Sequence, residues 1–359
     1  MSKFVIQKYI RKSVLAIMGY VSEKQDSQKQ LIRLNANENP FPVPTCIQVA
    51  LENSIKCDLR LYPDEQATSV RCAIARAYKM AADQVIVDNG SSALLSTIFR
   101  TILDPNDVVA IVSPTFALYE TLALAQSAVI EQVKMGNDGL FPTQQLLDLK
   151  PKLIVIPNPN APMGYYIHVN ELECLIHNCS GIVVIDEAYS DFTQENALHL
   201  VRKYPNVIIT RTFSKAYSLA GLRFGFGFSS PEIIVNLDKV RSTYNINSIT
   251  QIVAVAVFEH IDEFQESIKK IRVLREYARN ELERRGFGVA PSETNFLFVT
   301  VPIDTISALQ WECLLQEKGI LVRCYPQDED LRNNLRISIG SQQSMGCLFQ
   351  VIDEILNNL

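Results

Sequence analysis

The chain has few of the residues from which metal centres and disulfide frameworks are built. It has only four histidines in 359 residues, and its eight cysteines include no C-x-x-C pair. No two histidines have metal-ligand spacing, and cysteines scattered through apolar segments are typical of reduced core thiols. A zinc or non-haem iron site and a disulfide-stabilised scaffold are therefore not expected.

Long apolar runs and an excess of positive charge are missing as well. Residues 1–21 are partly apolar but are interrupted by Lys3, Lys8, Arg11 and Lys12, so they resemble neither a signal peptide nor a bilayer span. The formal net charge of −5 argues against a nucleic-acid or polybasic membrane surface. We expect a cytoplasmic, soluble protein with an amphipathic N-terminal arm.

Short apolar runs alternate with helical periodicity between residues 40 and 230. The predicted strands are VIVD (85–88), VVAIV (108–112), LIVIP (153–157), GIVVID (181–186) and NVIIT (206–210). Helical segments lie between them, and Asp64 is placed to cap the first. Buried strands that alternate with helices predict an α/β fold with a mainly parallel sheet.

The pattern changes after Arg241. Residues 248–286 are mostly helical, with a cap at Gly286, and the strands NFLFVT, ILVR and LRISIG follow with helices near 304–318 and 343–358. We therefore predict an N-terminal arm (1–35), a large α/β domain (36–240) and a smaller α+β domain (241–359).

Polar or glycine-containing segments follow each predicted strand of the large domain. They are Asn89-Gly90-Ser91-Ser92, Ser113-Pro114-Thr115-Phe116, NPNAPMG (158–164), Asp186 and Ser214-Lys215. Because ligands of open α/β sheets bind outside the carboxyl ends of the strands, we expect these segments to surround one crevice.

The segment RTFSKAYSLAGLRFG (211–225) carries the most specific chemistry. Thr212, Ser214 and Arg223 can converge on a phosphate, and Lys215 can form an imine with an aldehyde. A single loop lysine is usually a solvated surface group. Together with the upstream segment GIVVIDEAY, which supplies an aspartate and a tyrosine, the lysine predicts a site for pyridoxal 5′-phosphate.

These segments together resemble the fold-type I aminotransferases that use pyridoxal phosphate, most closely their histidinol-phosphate aminotransferase branch. The resemblance covers nearly the whole chain and rests on LNANENPF, LYPDEQ, SPTF-x-x-Y, NPN-x-P-x-G, DEAY-x-x-F, SKA-x-x-LAGLR, ETNF and LRI-x-x-G. It implies the type I transferase fold, with a large domain and a smaller C-terminal domain, and a homodimer with shared active sites.

The resemblance also implies a role for each site residue. Lys215 would be the Schiff-base lysine and proton shuttle, Asp186 would pair with the pyridine nitrogen, and Tyr189 would hydrogen-bond the phenolic oxygen. The other cofactor contacts would be Ser91, Ser92, Ser214 and Arg223 at the phosphate, Phe116 on the ring, Asn160 at the phenolic oxygen, and Tyr62 at the phosphate of the neighbouring subunit's cofactor. Substrate would meet Tyr20, Asn37, Arg323 and Arg336, with Tyr244 and Asn245 completing the pocket, although Arg323 could equally be a surface ion pair.

The sequence departs from the family pattern in three ways. Ala161 stands where the family has an asparagine, and Met163 stands where it has a threonine, so the contact to the phenolic oxygen passes to Asn160 or is lost. Ser92-Ala93 replaces the usual acidic pair, which removes a local carboxylate but leaves the backbone phosphate contacts.

The resemblance implies transamination, with L-histidinol phosphate and 2-oxoglutarate as the substrate pair, in histidine biosynthesis. Two alternatives keep the cofactor: an aromatic amino-acid aminotransferase, and an amino-acid phosphate decarboxylase of cobalamin biosynthesis. A third is a cofactor-binding regulatory protein on the same scaffold, for which the three departures are the only support.

Overall fold

The structure is a computed structural model that describes residues 6–17, 31–136, 140–302 and 305–359. Its strands are β1 Ile32–Arg33, β2 Val85–Asp88, β3 Val108–Ser113, β4 Val129–Lys134, β5 Leu153–Pro157, β6 Ile182–Asp186, β7 Val207–Thr212, β8 Gly225–Phe228, β9 Gly288–Val289, β10 Phe296–Thr300, β11 Ile320–Leu321, β12 Arg323–Cys324 and β13 Asn334–Ser338. Its α-helices are α1 Lys12–Leu15, α2 Thr45–Ser54, α3 Thr68–Tyr78, α4 Ser91–Ile102, α5 Leu118–Ala125, α6 Thr143–Asp148, α7 Val169–Asn178, α8 Leu200–Lys203, α9 Pro231–Val240, α10 Ser248–Glu259, α11 Gln265–Arg284, α12 Ala308–Glu317 and α13 Gln342–Leu356. Within these ranges no helix combines the length and apolar character needed to cross a bilayer.

A seven-stranded sheet forms the centre of the large lobe, in the order β2-β8-β7-β6-β5-β3-β4. Only β8 runs antiparallel to its neighbours β2 and β7. The mainly parallel α/β sheet predicted from the sequence is therefore confirmed, and all five predicted strands occur. Strands β4 and β8 were not predicted: β4 (VIEQVK) is largely polar, and β8 (GFGF) alternates glycine with phenylalanine.

Both faces of this sheet are buried at its inner strands, such as β5 and β7. In β5, Ile154 and Ile156 pack into one apolar cluster, whereas Leu153 and Val155 pack into a second cluster. Side chains of a strand point alternately to the two faces, so an unbroken apolar run matches a strand that is covered by helices on both sides. Each such side chain contributes about 1.5–3 kcal/mol when it is fully buried.

Local signals set two helix ends as predicted. Asp64 Oδ2 accepts a hydrogen bond of 2.6 Å from the backbone N–H of Thr68, the first residue of α3. This bond satisfies one of the amide groups that a helix start leaves unpaired. At the other end, α11 stops at Arg284 and is followed by Gly286 with a φ of +86°.

The C-terminal lobe contains a four-stranded sheet in the order β12-β13-β10-β9, in which neighbouring strands run antiparallel. Helices α11 and α12 pack on this sheet, and α13 packs on both of these helices. Arg285, directly after α11, binds Asp353 of α13 through two hydrogen bonds of 2.7 Å. The predicted α+β character of this lobe is confirmed.

The segment before the large lobe belongs structurally to the C-terminal lobe. Strand β1 pairs in parallel with β11, and the carbonyl of Leu34 accepts a 2.8 Å hydrogen bond from the backbone N–H of Ser338. Helix α10 packs on α2 and α3 of the large lobe. The domain limits at 35 and 240 remain predictions, and the packing of α10 favours a limit after that helix.

Candidate active site

The predicted strand ends meet at one edge of the large sheet. Because β8 lies antiparallel between β2 and β7, its first residue reaches the edge at which β2 and β7 end. That residue is Gly225, and a Cβ there would lie 2.3 Å from the backbone carbon of Gly90. The glycine thus lets the turn after β2 approach the start of β8.

Arg223 and Gly90 form a close cradle at this edge. Gly90 has a φ of +79°, and a Cβ on it would lie 2.5 Å from Arg223 Nη2. Helix α4 begins at the next residue, Ser91, so its unpaired amide groups and positive dipole end lie at the same place. A guanidinium beside a helix start suits a phosphate group.

Hydroxyl groups of the segment after β7 complete this cluster. Thr212 Oγ1 lies 2.9 Å from Ser214 Oγ, which accepts a 3.4 Å hydrogen bond from Arg223 Nη1. The structure therefore brings Ser91, Ser214 and Arg223 together, as the sequence predicted. Ser92 is the next residue of α4 and its side chain is exposed.

Lys215 follows Ser214 of the hydroxyl and arginine cluster directly in sequence, and its side chain reaches the segment that contains Ala36. Its Nζ donates a 3.0 Å hydrogen bond to the carbonyl of Ala36 and lies 5.7 Å from the centroid of the Tyr189 ring. The amine therefore points into the space beside Tyr189, where an aldehyde could reach it.

Asp186 is buried at the end of β6, with 5% of its surface exposed. Tyr119 Oη donates to its Oδ2 at 2.8 Å and Thr210 Oγ1 donates to its Oδ1 at 3.0 Å. Burial raises the pKa of Asp186, and these two hydrogen bonds oppose the rise by stabilising the carboxylate. Burial and the nearby carboxylate raise the pKa of Tyr119 well above its ordinary value, so that hydroxyl remains a proton donor.

Tyr119 also supports Phe116, the predicted ring-stacking residue. The two rings meet edge to face, with centroids 5.6 Å apart. Sequence reasoning assigned no role to Tyr119 or Thr210. The tyrosine is part of the SPTF-x-x-Y motif, and Thr210 is the register partner of Asp186 in the parallel β6–β7 pair, so the motif and the strand pairing were the available signals.

Asn160 is buried inside the loop that follows β5. Its Nδ2 donates to the carbonyl of Pro114 at 3.1 Å, and its Oδ1 accepts from the backbone N–H of Met163 at 3.0 Å. The side chain thus holds the loop against the segment after β3. Contact with the cofactor's phenolic oxygen, which would use the second amide hydrogen, stays a prediction.

Asn37 is held by residues from three other segments. Its Nδ2 donates to Tyr189 Oη at 2.9 Å, while Ser338 Oγ donates to its Oδ1 at 2.9 Å. Asn295 Nδ2 donates to its backbone carbonyl, also at 2.9 Å. The predicted direct contact of Asn37 with substrate is untested, and in this structure its side-chain amide is directed at Tyr189 and Ser338.

Two arginines lie next to each other on the C-terminal lobe. Arg323 of β12 and Arg336 of β13 are register partners, which places their Cβ atoms about 4.5–5.5 Å apart. Arg336 Nη2 donates to the carbonyl of Asn35 at 2.5 Å, so this side chain reaches the segment that also contacts Lys215. Two positive groups side by side favour an anionic ligand.

A buried ion pair supports the strands beneath the site, and sequence reasoning missed it. Arg211 Nε and Nη2 donate to Glu187 Oε2 at 2.9 and 2.6 Å. Nearby, Tyr217 Oη donates to Asp191 Oδ1 at 3.0 Å. Charged side chains within apolar runs could have indicated buried partners, but nothing in the sequence pairs them.

The remaining predicted residues lie elsewhere or outside the described ranges. Tyr62 is 80% exposed, and its ring stacks on Tyr244 with centroids 4.4 Å apart. Asn245 Nδ2 donates to the carbonyl of Val87 and to Asp88 Oδ1, so it braces the end of β2. Tyr20 lies outside the described residues.

The donor set fits one kind of group closely. A buried carboxylate, a tyrosine hydroxyl, an amine and a phosphate cradle surround one crevice, which matches the ring nitrogen, phenolic oxygen, aldehyde and phosphate of pyridoxal 5′-phosphate. Within the described ranges, no group of three or more His, Cys, Asp and Glu side chains is arranged to hold a metal ion.

Comparison with known proteins agrees with this arrangement. The sequence model of the family described as aminotransferase class I and II matches residues 29–352. A curated histidinol-phosphate aminotransferase of Sinorhizobium fredii is 39% identical over 341 residues, covering 94% of this chain and 92% of the relative. A histidinol-phosphate aminotransferase of Clostridium botulinum is 34% identical over 358 residues, covering 99% of this chain and all of the relative. The crystal structure of the Sinorhizobium meliloti histidinol-phosphate aminotransferase in complex with pyridoxal 5′-phosphate superposes with a TM-score of 0.89, at 24% identity and with 99% of each chain covered.

Proposed function

The chain belongs to the class I and II aminotransferase family, and on that premise we propose that it transfers the amino group of L-histidinol phosphate to 2-oxoglutarate, as a step of histidine biosynthesis. The cofactor is pyridoxal 5′-phosphate. The observation that carries the proposal is the convergence of Lys215, Asp186 and Tyr189 with the Arg223 cradle on one crevice.

When it is bound, pyridoxal phosphate supplies an electron sink for negative charge that develops at the substrate carbon. Asp186 would favour a protonated ring nitrogen because its carboxylate is stabilised by Tyr119 and Thr210. Lys215 Nζ would take the proton from the substrate's α-carbon as general base and return it, as general acid, to the cofactor carbon that carried the aldehyde. Ser91, Ser214 and Arg223 would hold the phosphate group of the cofactor and so fix its position.

Arg323 and Arg336 supply the positive charge that the substrates require. Both amino donor and oxoacid acceptor carry anionic groups, a phosphate in one case and carboxylates in the other. A guanidinium binds either kind of group through two parallel hydrogen bonds. The cross-strand position of the two arginines lets one pocket serve both halves of the reaction.

The active enzyme is a homodimer in this proposal. Tyr62 is exposed, as are the apolar side chains of Ile55, Leu59 and Leu61 that precede it in the sequence, and a second copy of the chain would cover them. Tyr62 would then reach the cofactor phosphate of the neighbouring subunit. Cytoplasmic location stays a prediction from sequence.

Whether each active site uses residues of both subunits can be tested by combining two different variant subunits. A heterodimer of Tyr62→Phe and Lys215→Ala subunits has one site with both native residues, so its activity should exceed that of either parent variant. Activity equal to the mean of the parents would show that each site is built from one subunit.

Substrate identity is tested with a panel of donors and acceptors, read by the absorbance of the cofactor. L-histidinol phosphate should convert the visible cofactor band to that of the aminated cofactor, and 2-oxoglutarate should restore it. Release of carbon dioxide without an oxoacid would instead identify a decarboxylase, and preference for phenylpyruvate an aromatic aminotransferase. Cofactor absorbance with no response to any donor would identify a binding protein.

The covalent role of Lys215 has a separate test. Borohydride reduction followed by peptide mapping should place the cofactor on Lys215, and Lys215→Ala should lower turnover by at least about 10²–10⁴-fold, the usual contribution of a general acid–base group. Normal turnover by Lys215→Ala would overturn the assignment.

A further inference from the structure

We infer that Asn37 is a positioning residue, which orients the hydroxyl of Tyr189 so that its proton faces the cofactor's phenolic oxygen. The inference depends on the cofactor site of the proposed function but not on the identity of the substrate. It rests on the hydrogen bonds among Asn37, Tyr189 and Ser338.

The direction of these bonds follows from the donors around Asn37. Ser338 Oγ accepts a 2.8 Å hydrogen bond from the backbone N–H of Asn37 and has its own proton to give, which goes to Asn37 Oδ1. The amide nitrogen Nδ2 is then left facing Tyr189 Oη at 2.9 Å. Since an oxygen that accepts from Nδ2 presents its proton in another direction, the phenolic proton of Tyr189 is turned away from Asn37.

The conformation and burial of Asn37 make this arrangement rigid. Its φ of +54° lies in the left-handed region, which asparagine tolerates better than most residues. Only 1% of its surface is exposed. Water therefore does not compete for the amide, and the two side-chain bonds keep their geometry.

The substitution at position 161 gives this role its importance. The family's asparagine at that position is replaced by Ala161, which has no side-chain donor. A larger share of the hydrogen bonding to the phenolic oxygen then falls on Tyr189. A tyrosine whose oxygen accepts from an amide is also a stronger donor, because hydrogen bonds in a chain polarise one another.

The pH midpoint of the bound cofactor's visible absorbance band measures this effect. The proton that titrates is bound by the phenolic oxygen and the neighbouring nitrogen. A hydrogen-bond donor to the oxygen withdraws electron density from both atoms. Loss of the donor makes them more basic and raises the midpoint. Asn37→Gly removes the amide and keeps the left-handed backbone, and we expect it to raise the midpoint by about 0.5 units, with Tyr189→Phe raising it by about one unit.

Three further variants make the test decisive. Asn37→Asp keeps the shape and the contact with Ser338 but, when ionised, accepts the proton of Tyr189, so it should also raise the midpoint. Asn37→Gly should have no further effect in a Tyr189→Phe protein. Asn295→Ala loosens the backbone of Asn37 without touching its amide, and should lower the melting temperature of the cofactor-free protein but leave the midpoint in place.

An unchanged midpoint in Asn37→Gly would overturn the inference. So would a midpoint shift by Asn37→Gly that is equally large in the native protein and in the Tyr189→Phe protein. If the native protein binds the cofactor but shows the same midpoint as Tyr189→Phe, then Tyr189 does not donate a hydrogen bond to the phenolic oxygen. If no visible band forms at all, the cofactor site of the proposed function fails together with this inference.

Discussion

Removal of the Tyr119 hydroxyl tests whether Asp186 is held in its ionised form by hydrogen bonds. Tyr119→Phe keeps the ring, which packs edge to face on Phe116, and removes the donor that lies 2.8 Å from Asp186 Oδ2. Thr210 Oγ1 still donates to the other carboxylate oxygen. The change therefore weakens the stabilisation of one buried negative charge and leaves the packing almost intact.

The size of the effect should depend on pH. Burial raises the pKa of Asp186 above the ordinary value of about 3.9. A carboxyl with a higher pKa in the folded state binds more protons when folded, so the free energy of unfolding falls as pH rises from the ordinary value to the folded value. Loss of the Tyr119 donor raises the pKa of Asp186 in the folded protein further. The free energy of unfolding then continues to fall up to a higher pH. Hydrogen bonds to charged groups contribute about 1.5–3 kcal/mol, which is the destabilisation expected above the folded pKa of the variant.

Urea unfolding of the cofactor-free protein across a pH series measures this dependence. The destabilisation by Tyr119→Phe should be smallest in acid, below the raised folded pKa of Asp186, and largest in mildly alkaline buffer. Tyr217→Phe is a matched control, because the buried Tyr217 donates from Oη to Asp191 Oδ1 at 3.0 Å rather than to Asp186. It should show a similar pH pattern in stability, whereas only Tyr119→Phe should alter the pH dependence of cofactor binding. A destabilisation by Tyr119→Phe that is equal at every pH would refute this account of Asp186.

Other substitutions test the phosphate cradle and the anion pocket. Gly90→Ala should weaken cofactor binding and destabilise the protein by about 1 kcal/mol or more. The φ of +79° is unfavourable for alanine, and the new Cβ would lie 2.5 Å from Arg223 Nη2. Gly346→Ala, in the middle of α13 with no atom within 4 Å of the new Cβ, should instead stabilise by about 0.5–1 kcal/mol in the same thermal or urea melts. Arg336→Lys should raise the KM for both substrates by about tenfold to a hundredfold, because lysine cannot form two parallel hydrogen bonds to one anion; an unchanged KM in steady-state assays would place the anion elsewhere.

The parts of the fold that follow from local patterns could be predicted from the sequence. An unbroken apolar run such as LIVIP can be satisfied only where both faces of a strand are covered, so the central strands and the parallel sheet were found. Because parallel strands end at one edge, the positions of Asp186, Lys215 and Gly90 followed from strand order alone. Strand β8 was missed because GFGF lacks the β-branched residues that mark strands, although its glycines are what allow the turn at Gly90 to approach.

Contacts between distant segments could not be predicted in this way. The bonds from Asn37 to Tyr189 and Ser338 join residues separated by 152 and 301 positions. No periodicity or capping signal reports such a pair, since it depends on how the C-terminal lobe packs on the large one. Ala161 was visible as a departure in the sequence, but the hydrogen bond from Asn37 to Tyr189 was not.

The N-terminal segment links the reactive groups to one another. The carbonyl of Asn35 accepts from Arg336, the carbonyl of Ala36 accepts from Lys215, and the side chain of Asn37 donates to Tyr189. Three consecutive residues thus contact the arginine that we propose binds the anion, the amine that we propose reacts, and the phenolic hydroxyl of Tyr189. Because one continuous stretch of backbone carries all three contacts, a change in its conformation would displace the three side chains together.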